Sequence, residues 1–321
     1  MHVVVTGAAG FIGSHTCERL CARGVRVTGI DSFDGYLYPA EIKRRTASEL
    51  ARLPGFSLIE ADICDPAAVA AAIGDDVDVV CHLAALAGVR PSLAEPLRYW
   101  RTNIDGTGVI IERMRAVGRA KLVFASSSSV YGARPGDTAA FREDDPCLTP
   151  ASPYAASKRM NELQLSAYRD LFGIGVFALR FFTVYGPRQR PDMAIAKFTK
   201  AIARGQPVTL FGDGATRRDY TFIDDIVSGT VAAIETVEPG RYELINLGGT
   251  RTISLRELVQ LIEDAVGKPA AIDWQPMQPG DVPVTYASID RAHALLGYQP
   301  TTPPERGIAR YWEWFQRQAI A

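Results

Sequence analysis

The chain is poor in net charge, in paired cysteines and in long apolar runs, and each scarcity removes a class of function. Lys plus Arg number 35 and Asp plus Glu 36, a formal net charge of -1 over 321 residues. That balance gives no global electrostatic reason for nucleic acid or an anionic membrane as partner, though it leaves room for a local basic pocket. The five cysteines are odd in number and contain no C-x-x-C pair, which argues against a disulfide framework and against a zinc site, so no metal is expected. Cys17 and Cys21 share a helical face and read as buried free thiols. No uninterrupted apolar run reaches the ~18–20 residues of a membrane span. No signal peptide precedes the first strand, so a cytoplasmic protein is expected. Internal repeats, charge blocks and low-complexity linkers are absent as well.

What is present is globular: 47% hydrophobic and 22% charged residues. At ~100–200 residues per domain, the length suggests two domains or one large α/β domain with an appended lobe. The hydrophobic period alternates between strand and helix from the start. Residues 2–5 read as a strand, 11–23 as a helix ended by Gly24, and 25–30 as a second strand. The pattern continues with strands at 56–60, 77–83, 121–125 and 176–180, and helices at 66–73, 97–117 and 153–172. This predicts an α/β fold, a doubly wound parallel sheet with helices on both faces. After residue 180 prolines cluster and the elements look shorter. The division expected is a dinucleotide-binding domain over 1–180, a return to its sheet near 219–247, and a smaller mixed α/β lobe over 181–321.

The turn Thr6-Gly7-Ala8-Ala9-Gly10-Phe11-Ile12-Gly13 sits between the first strand and the first helix. Gly7, Gly10 and Gly13 let the backbone turn tightly and approach a pyrophosphate, and the helix N-terminus offers it free N–H groups. Glycines alone are weak evidence; their strand–turn–helix context is what a dinucleotide site requires. Asp31 ends the second strand and can bond the adenosine ribose, its carboxylate repelling a 2′-phosphate and so favouring NAD over NADP; it could also merely begin a turn with Ser32. Asp62 could receive the adenine amino group or cap the helix after Pro66. Small residues in His82-Leu83-Ala84-Ala85 let the chain pass close to a cofactor, while His82 itself reads as a packed core histidine.

Tyr154-Ala155-Ala156-Ser157-Lys158 opens the helix after Pro153, so Tyr154 and Lys158 share one helical face. An ammonium beside a phenol favours the phenolate, and the positive ring of oxidised NAD pushes the same way. Such a tyrosine can take a proton from a sugar hydroxyl. Ser126-Ser127-Ser128-Ser129 follows the strand 121–125 and puts hydroxyls at its carboxyl end, where one could hold a substrate oxygen; for most of the four an ordinary polar loop is the simpler reading.

Together these residues resemble the extended short-chain dehydrogenase/reductase family, over nearly the whole chain, and within it the nucleotide-sugar epimerases. The resemblance implies a Rossmann domain with a substrate lobe, NAD as cofactor, a UDP-sugar as substrate and a homodimer built on helices 97–117 and 153–172. It implies Ser127, Tyr154 and Lys158 as the catalytic set, Ser127 lying four residues before Tyr131. Around NAD it places Phe11, Ile12, Asp31, Ser32, Asp62, Ile63, Leu83, Ala84, Ala85, Ala87, Asn103, Lys158 and Phe181. Around the nucleotide sugar it places Val89, Arg90, Ser127, Ser128, Thr183, Arg190, Phe211, Arg218 and Asp281, with Arg218 on the diphosphate and Asp281 on the uridine ribose.

Dehydratases of this family carry Thr-Asp-Glu, and decarboxylases a Glu, where this chain has Ser127, Ser128 and Ser129. Without those acids elimination lacks its acid–base pair, which leaves epimerisation. The segment 82–92 and Arg190-Pro191-Asp192-Met193-Ala194 resemble UDP-glucuronate 4-epimerases. Arg188-Gln189 departs from that branch, which usually has Trp-Gly, and is closer to neutral UDP-hexose epimerases. Thr183, Arg90 and Arg190 are candidate donors to a C5 carboxylate, each arginine having a surface charge or a diphosphate contact as its alternative. A net NAD-dependent dehydrogenase or reductase, and an NAD-binding protein without catalysis, stay open beside the epimerase.

Overall fold

The structure, a computed structural model, describes residues 1–132, 139–249, 251–276 and 284–320. Its strands are β1 (His2–Thr6), β2 (Arg26–Asp31), β3 (Phe56–Glu60), β4 (Val79–His82), β5 (Lys121–Ser127), β6 (Gly175–Phe181), β7 (Thr183–Tyr185), β8 (Val208–Phe211), β9 (Arg217–Arg218), β10 (Tyr220–Phe222), β11 (Tyr242–Leu247), β12 (Ile253–Ser254), β13 (Ile272–Gln275) and β14 (Val284–Thr285). The helices are α1 (Phe11–Cys21), α2 (Ala40–Leu50), α3 (Pro66–Ala72), α4 (Val89–Ala94), α5 (Pro96–Trp100), α6 (Gly106–Ala116), α7 (Pro153–Phe172), α8 (Ala194–Ala203), α9 (Ile223–Thr236), α10 (Leu255–Val266), α11 (Asp290–Leu296) and α12 (Pro304–Ile320).

Seven strands form one parallel sheet in the order β11-β6-β5-β4-β1-β2-β3. Strands covered by helices on both faces read as unbroken apolar runs, and Val3, Val4 and Val5 of central β1 are each fully buried. Alternate residues serve opposite cores. Val3, Val5, Val27, Val123 and Phe177 enter one; Val4, Ile30, Val80, Phe124 and Ala178 enter the other. The strand order reverses between β1 and β4, where an open α/β sheet leaves its crevice. The short pairs β10–β7 and β13–β8 and the three-stranded β12-β9-β14 lie beyond it.

The helix expected over 97–117 is present and continuous, with α5 and α6 joined through a π-helical turn over Arg101–Asp105. Two regions differ from the periodicity. α2 lacks a clean apolar stripe and has no counterpart in the pattern. The last third is more helical than its prolines suggest, with α9 running 14 residues, α10 12 and α12 17. α9 packs between α1 and the sheet and leaves only a narrow polar stripe at helical spacing, with Ser228, Glu235 and Thr236 exposed and Asp224 and Ala232 partly so. β11 then pairs with β6 from Tyr242↔Val176 to Leu247↔Phe181, returning the chain to the main sheet. The thiols of Cys17 and Cys21 are free, Cys17 fully buried and Cys21 partly so.

Candidate active site

The crevice at the reversal of strand order opens into a cavity of about 580 Å³, walled by the glycine turn, the ends of β2, β4, β5 and β6, and the start of α7. The glycine turn is as tight as backbone permits. Gly7 lies at φ +69°, and a Cβ there would meet Ala84 Cα at 2.9 Å. A Cβ on Gly13 would stand 2.0 Å from the Gly7 carbonyl oxygen. The first turn of α1, at Phe11, Ile12 and Gly13, therefore comes up close behind β1 with its N–H groups at the cavity wall.

Asp31 holds this turn from below. Its carboxylate accepts from the Ala9 N–H at 3.0 Å and the Phe33 N–H at 2.9 Å. Burial raises its pKa, against the pull of the Lys43 ammonium. A carboxylate offers about four acceptor positions, so two backbone bonds leave capacity for a ribose. Asp62 accepts from the Cys64 N–H at 2.9 Å and lines the cavity; the cap of α3 belongs instead to Asp65, which accepts from Ala67 and Ala68 at 2.9 and 3.3 Å. These are the features a dinucleotide needs: a side-chain-free turn, a helix N-terminus and an acid at the end of the second strand.

His82 is structural, as its sequence setting suggests. Its ring nitrogens lie 2.7 Å from Thr6 Oγ1 and 3.0 Å from Thr107 Oγ1, and burial pulls its pKa down to about 3. Asn103 does not line the cavity. Carried on the π-helical turn, it is buried and clamps Leu86 by both backbone groups, N–H at 2.9 Å and C=O at 3.0 Å. Its side chain thereby shapes the segment 84–88 that does line the cavity.

α7 starts with Ser152 as its cap, accepting from the Ala155 N–H at 3.1 Å. Pro153 follows at the first helical position, where its missing N–H costs nothing. Tyr154 and Lys158 then face β5 from one side of the helix. Tyr154 and Ser127 both line the cavity, where the Ser127 hydroxyl donates to Ser129 Oγ at 3.1 Å. Lys158 donates to the Ala125 carbonyl at 2.7 Å. Burial pushes the Tyr154 phenol up, while the nearby Ser127 hydroxyl and the Arg190 charge pull it down. Burial also brings Lys158 down to about 7, with Glu162 opposing. The groups that counter burial at the phenol are thus Ser127 and Arg190, the second of which the Tyr–Lys spacing alone does not reveal.

Of the four serines, Ser126 also lines the cavity but is buried and tied into the core. It donates to Glu162 Oε1 at 2.6 Å, and the same carboxylate takes Arg180 at 2.8 and 2.9 Å. Glu162 and Arg180 are both fully buried, so this network ties β5, β6 and α7 together behind the site. Ser127, Ser128 and Ser129 all reach the cavity wall. So do Ser32, Ile63, Leu83, Ala85, Ala87, Val89, Phe181, Thr183 and Arg190. Arg190 is paired bidentately with Asp192 at 3.0 and 2.6 Å. Arg90 and Phe211 lie outside this lining and stack on each other, the guanidinium 5.5 Å above the ring. Arg218 also stands apart on β9, donating to the Arg217 carbonyl at 2.9 Å. Asp281 falls outside the described residues. Tyr38, Lys43 and Thr102 line the cavity without any sequence signal having marked them, and Leu86 and Met193 do so from segments marked only by their resemblance.

Comparison with known proteins agrees with this geometry. A UDP-glucuronate 4-epimerase of Thermodesulfobacterium geofontis (strain OPF15) is 40% identical, the match covering 98% of this chain and 95% of that protein. The crystal structure of UDP-glucuronic acid 4-epimerase from Bacillus cereus in complex with UDP-glucuronic acid and NAD superposes with a TM-score of 0.92 at 38% identity, over 99% of this chain and all of that one. UDP-glucose 4-epimerase from Thermotoga maritima, solved with UDP-glucose, gives a TM-score of 0.88 at 30% identity, over 99% of this chain and all of that one. The family model described as NAD dependent epimerase/dehydratase matches residues 3–248, and the chain belongs to that family.

Proposed function

We propose that this chain inverts C4 of a UDP-sugar, UDP-glucuronate to UDP-galacturonate in the first instance, with NAD bound in the glycine-lined crevice. Bound NAD supplies the acceptor and then the donor of the C4 hydride. The work of the chain is to hold the sugar and move its O4 proton. Tyr154 takes that proton, directly or through Ser127, whose hydroxyl shares the cavity wall and favours the phenolate. Lys158, fixed on the Ala125 carbonyl, supplies a positive charge behind the phenol whenever it is protonated. Between the two hydride transfers the 4-keto sugar must turn over, and the small walls at Ala84, Ala85 and Ala87 leave it room.

The observation that carries this reading is the meeting in one cavity of the glycine turn, the Ser127–Tyr154 pair and the Arg190 guanidinium. Oxidation at C4 of a glucuronate gives a β-keto acid, prone to lose CO₂. Arg190 and Thr183, which both line the cavity, are the groups that would grip the C5 carboxylate and slow that loss, a guanidinium being suited to hold two oxygens at once. The relatives named for UDP-glucuronate support the same substrate. One observation favours a second reading: Asp192 already neutralises much of the Arg190 charge, which suits a neutral hexose such as UDP-glucose.

The chain also fits a homodimer. Exposed Leu97, Trp100, Met160 and Leu163 lie on α5 and α7, which pack against each other, and a second copy would cover them. The 1–180 domain with its return near 219–247, the 181–321 lobe and a cytoplasmic location complete the reading. The deciding experiment is product analysis after incubation with NAD and either UDP-glucuronate or UDP-glucose. UDP-galacturonate from the first, lost in Tyr154→Phe while NAD still binds, bears the proposal out. Conversion of UDP-glucose alone moves the substrate to the neutral hexoses. Stoichiometric NADH from either would replace epimerisation by net dehydrogenation.

A further inference from the structure

The loop that delivers Arg190 to the cavity has little to hold it in place by itself. It joins β7 to α8 over residues 186–193, and Pro187 and Pro191 within it can give no backbone N–H. Within the loop, the Gln189 N–H donates to the Gly186 carbonyl at 3.1 Å and the Met193 N–H to the Arg190 carbonyl at 3.2 Å. Arg188 stands at φ +64°, a left-handed conformation that is costly for a residue with a Cβ. Such strain persists only where the surroundings over-determine it.

The surroundings here are α1. The Arg188 guanidinium reaches 170 positions back along the chain to Glu18, with Nη1 2.8 Å from Oε1 and Nη2 2.5 Å from Oε2. Nη2 also lies 3.0 Å from Nδ1 of His15. The His15 ring then meets the Pro187 carbonyl through Nε2 at 2.9 Å. Arg188 Nε also lies 3.3 Å from Nε2, but the carbonyl is closer and can only accept, which favours the proton on Nε2 and Nδ1 as the acceptor for Arg188. Arg188 is mostly buried in this contact. One helix thus holds the loop by side chain at Arg188 and by backbone at Pro187, two and three residues before Arg190. On its far side Arg190 is backed by Gly88, whose hypothetical Cβ would come within 3.3 Å of Nη2.

We infer that Arg188, clamped on Glu18 and His15 of α1, is a positioning residue that sets Arg190 at the sugar end of the cavity and so tunes selection of an acidic sugar. Its neighbour Asp192 orients the Arg190 side chain, and the clamp fixes the backbone that carries both. The helix used as anchor is the one whose N-terminus forms the cofactor turn, so cofactor and sugar ends share one rigid reference. This inference rests on the proposed acidic substrate, and it gives a role to the Arg188-Gln189 pair that departs from the UDP-glucuronate branch.

The test compares wild type with two variants that cut the clamp from opposite sides. Arg188→Asn tolerates the left-handed conformation but cannot reach Glu18; Glu18→Gln leaves the loop sequence intact and weakens the pair from α1. Affinities for UDP-glucuronate, UDP-glucose and UDP are measured by calorimetry on NAD-loaded protein, with thermal unfolding alongside. Small misplacements of a positioning group cost up to ~100-fold in function, and a loss on the order of tenfold in UDP-glucuronate affinity is expected in both variants, with UDP affinity unchanged. If either variant keeps the wild-type ratio of UDP-glucuronate to UDP affinity, the clamp is only structural and the inference falls. It falls too if UDP and UDP-glucuronate weaken in step, because the site has then loosened as a whole. Wild type that binds UDP-glucuronate no better than UDP-glucose removes the acidic substrate itself; wild type that prefers it, with unmoved variants, removes only the clamp.

Discussion

Lys158 makes the chain more stable as the solution becomes alkaline, and the size of the effect follows from its burial. It is 3% exposed, its ammonium donates to the Ala125 carbonyl, and burial brings its pKa to about 7. In the unfolded chain a lysine titrates near ~10.4. The folded value is the lower one, so between the two pKa values the unfolded state holds more protons and stability rises with pH. The slope approaches ~1.4 kcal/mol per unit; allowing for partial protonation at neutral pH, the gain from pH 7 to pH 9 is about 2 kcal/mol. Higher pH is avoided, because Tyr38 and Tyr131 have raised pKa values and lose stability as pH climbs through the range where unfolded tyrosines ionise. Urea unfolding of wild type and Lys158→Met at pH 7, 8 and 9 isolates the term, since all other groups are common to both. The difference in unfolding free energy between the two proteins should widen by about 2 kcal/mol in favour of wild type over that interval. Parallel curves would show that the lysine keeps its charge in the folded protein, and the account of its burial would be wrong.

Gly13→Ala should abolish NAD binding and lower the melting temperature, because its Cβ would lie 2.0 Å from the Gly7 carbonyl oxygen and backbone must move; wild-type NAD affinity in this variant, measured by fluorescence quenching, would contradict the turn geometry. Asp31→Asn removes a charged acceptor shared by the Ala9 and Phe33 N–H groups, so NAD affinity should fall roughly tenfold, the equivalent of ~1.4 kcal/mol, while NADP binding improves relative to it. Glu162→Gln leaves the Arg180 guanidinium buried without its counter-ion, and a loss of ~3–5 kcal/mol in urea unfolding is expected. The double variant Glu162→Met/Arg180→Met should recover most of that loss while turnover stays low, because Ser126 has no acceptor left to fix the end of β5; full turnover in the double variant would rule out a positioning role for the pair.

What the sequence disclosed and what it hid divide along the distance over which the chain must act. Gly7, Gly10 and Gly13 were readable because a turn is made by consecutive residues, and Tyr154 with Lys158 because four positions make one helical turn. The parallel sheet was readable for a similar reason: strands buried on both faces must be apolar throughout, and Val3 to Val5 are. α9 is harder to see, since its helical period rests on a thin polar stripe of which only Ser228, Glu235 and Thr236 are exposed. Asn103 shows the intermediate case. Its place near the cofactor could be inferred, but a π-helical turn aims it at Leu86, so it acts on the cavity through backbone rather than by contact. The clamp of Arg188 on Glu18 and the Ser126–Glu162–Arg180 network join segments far apart in sequence, and no local pattern announces either. These are also the groups that govern how the readable motifs behave. Burial alone drives the Tyr154 phenol away from the ionisation its chemistry needs, and the charge that opposes it comes from Arg190, whose loop is held by a helix from the opposite end of the chain. The motif therefore names the chemistry, and the long-range contacts decide whether its groups stand in the right charge state and place to perform it.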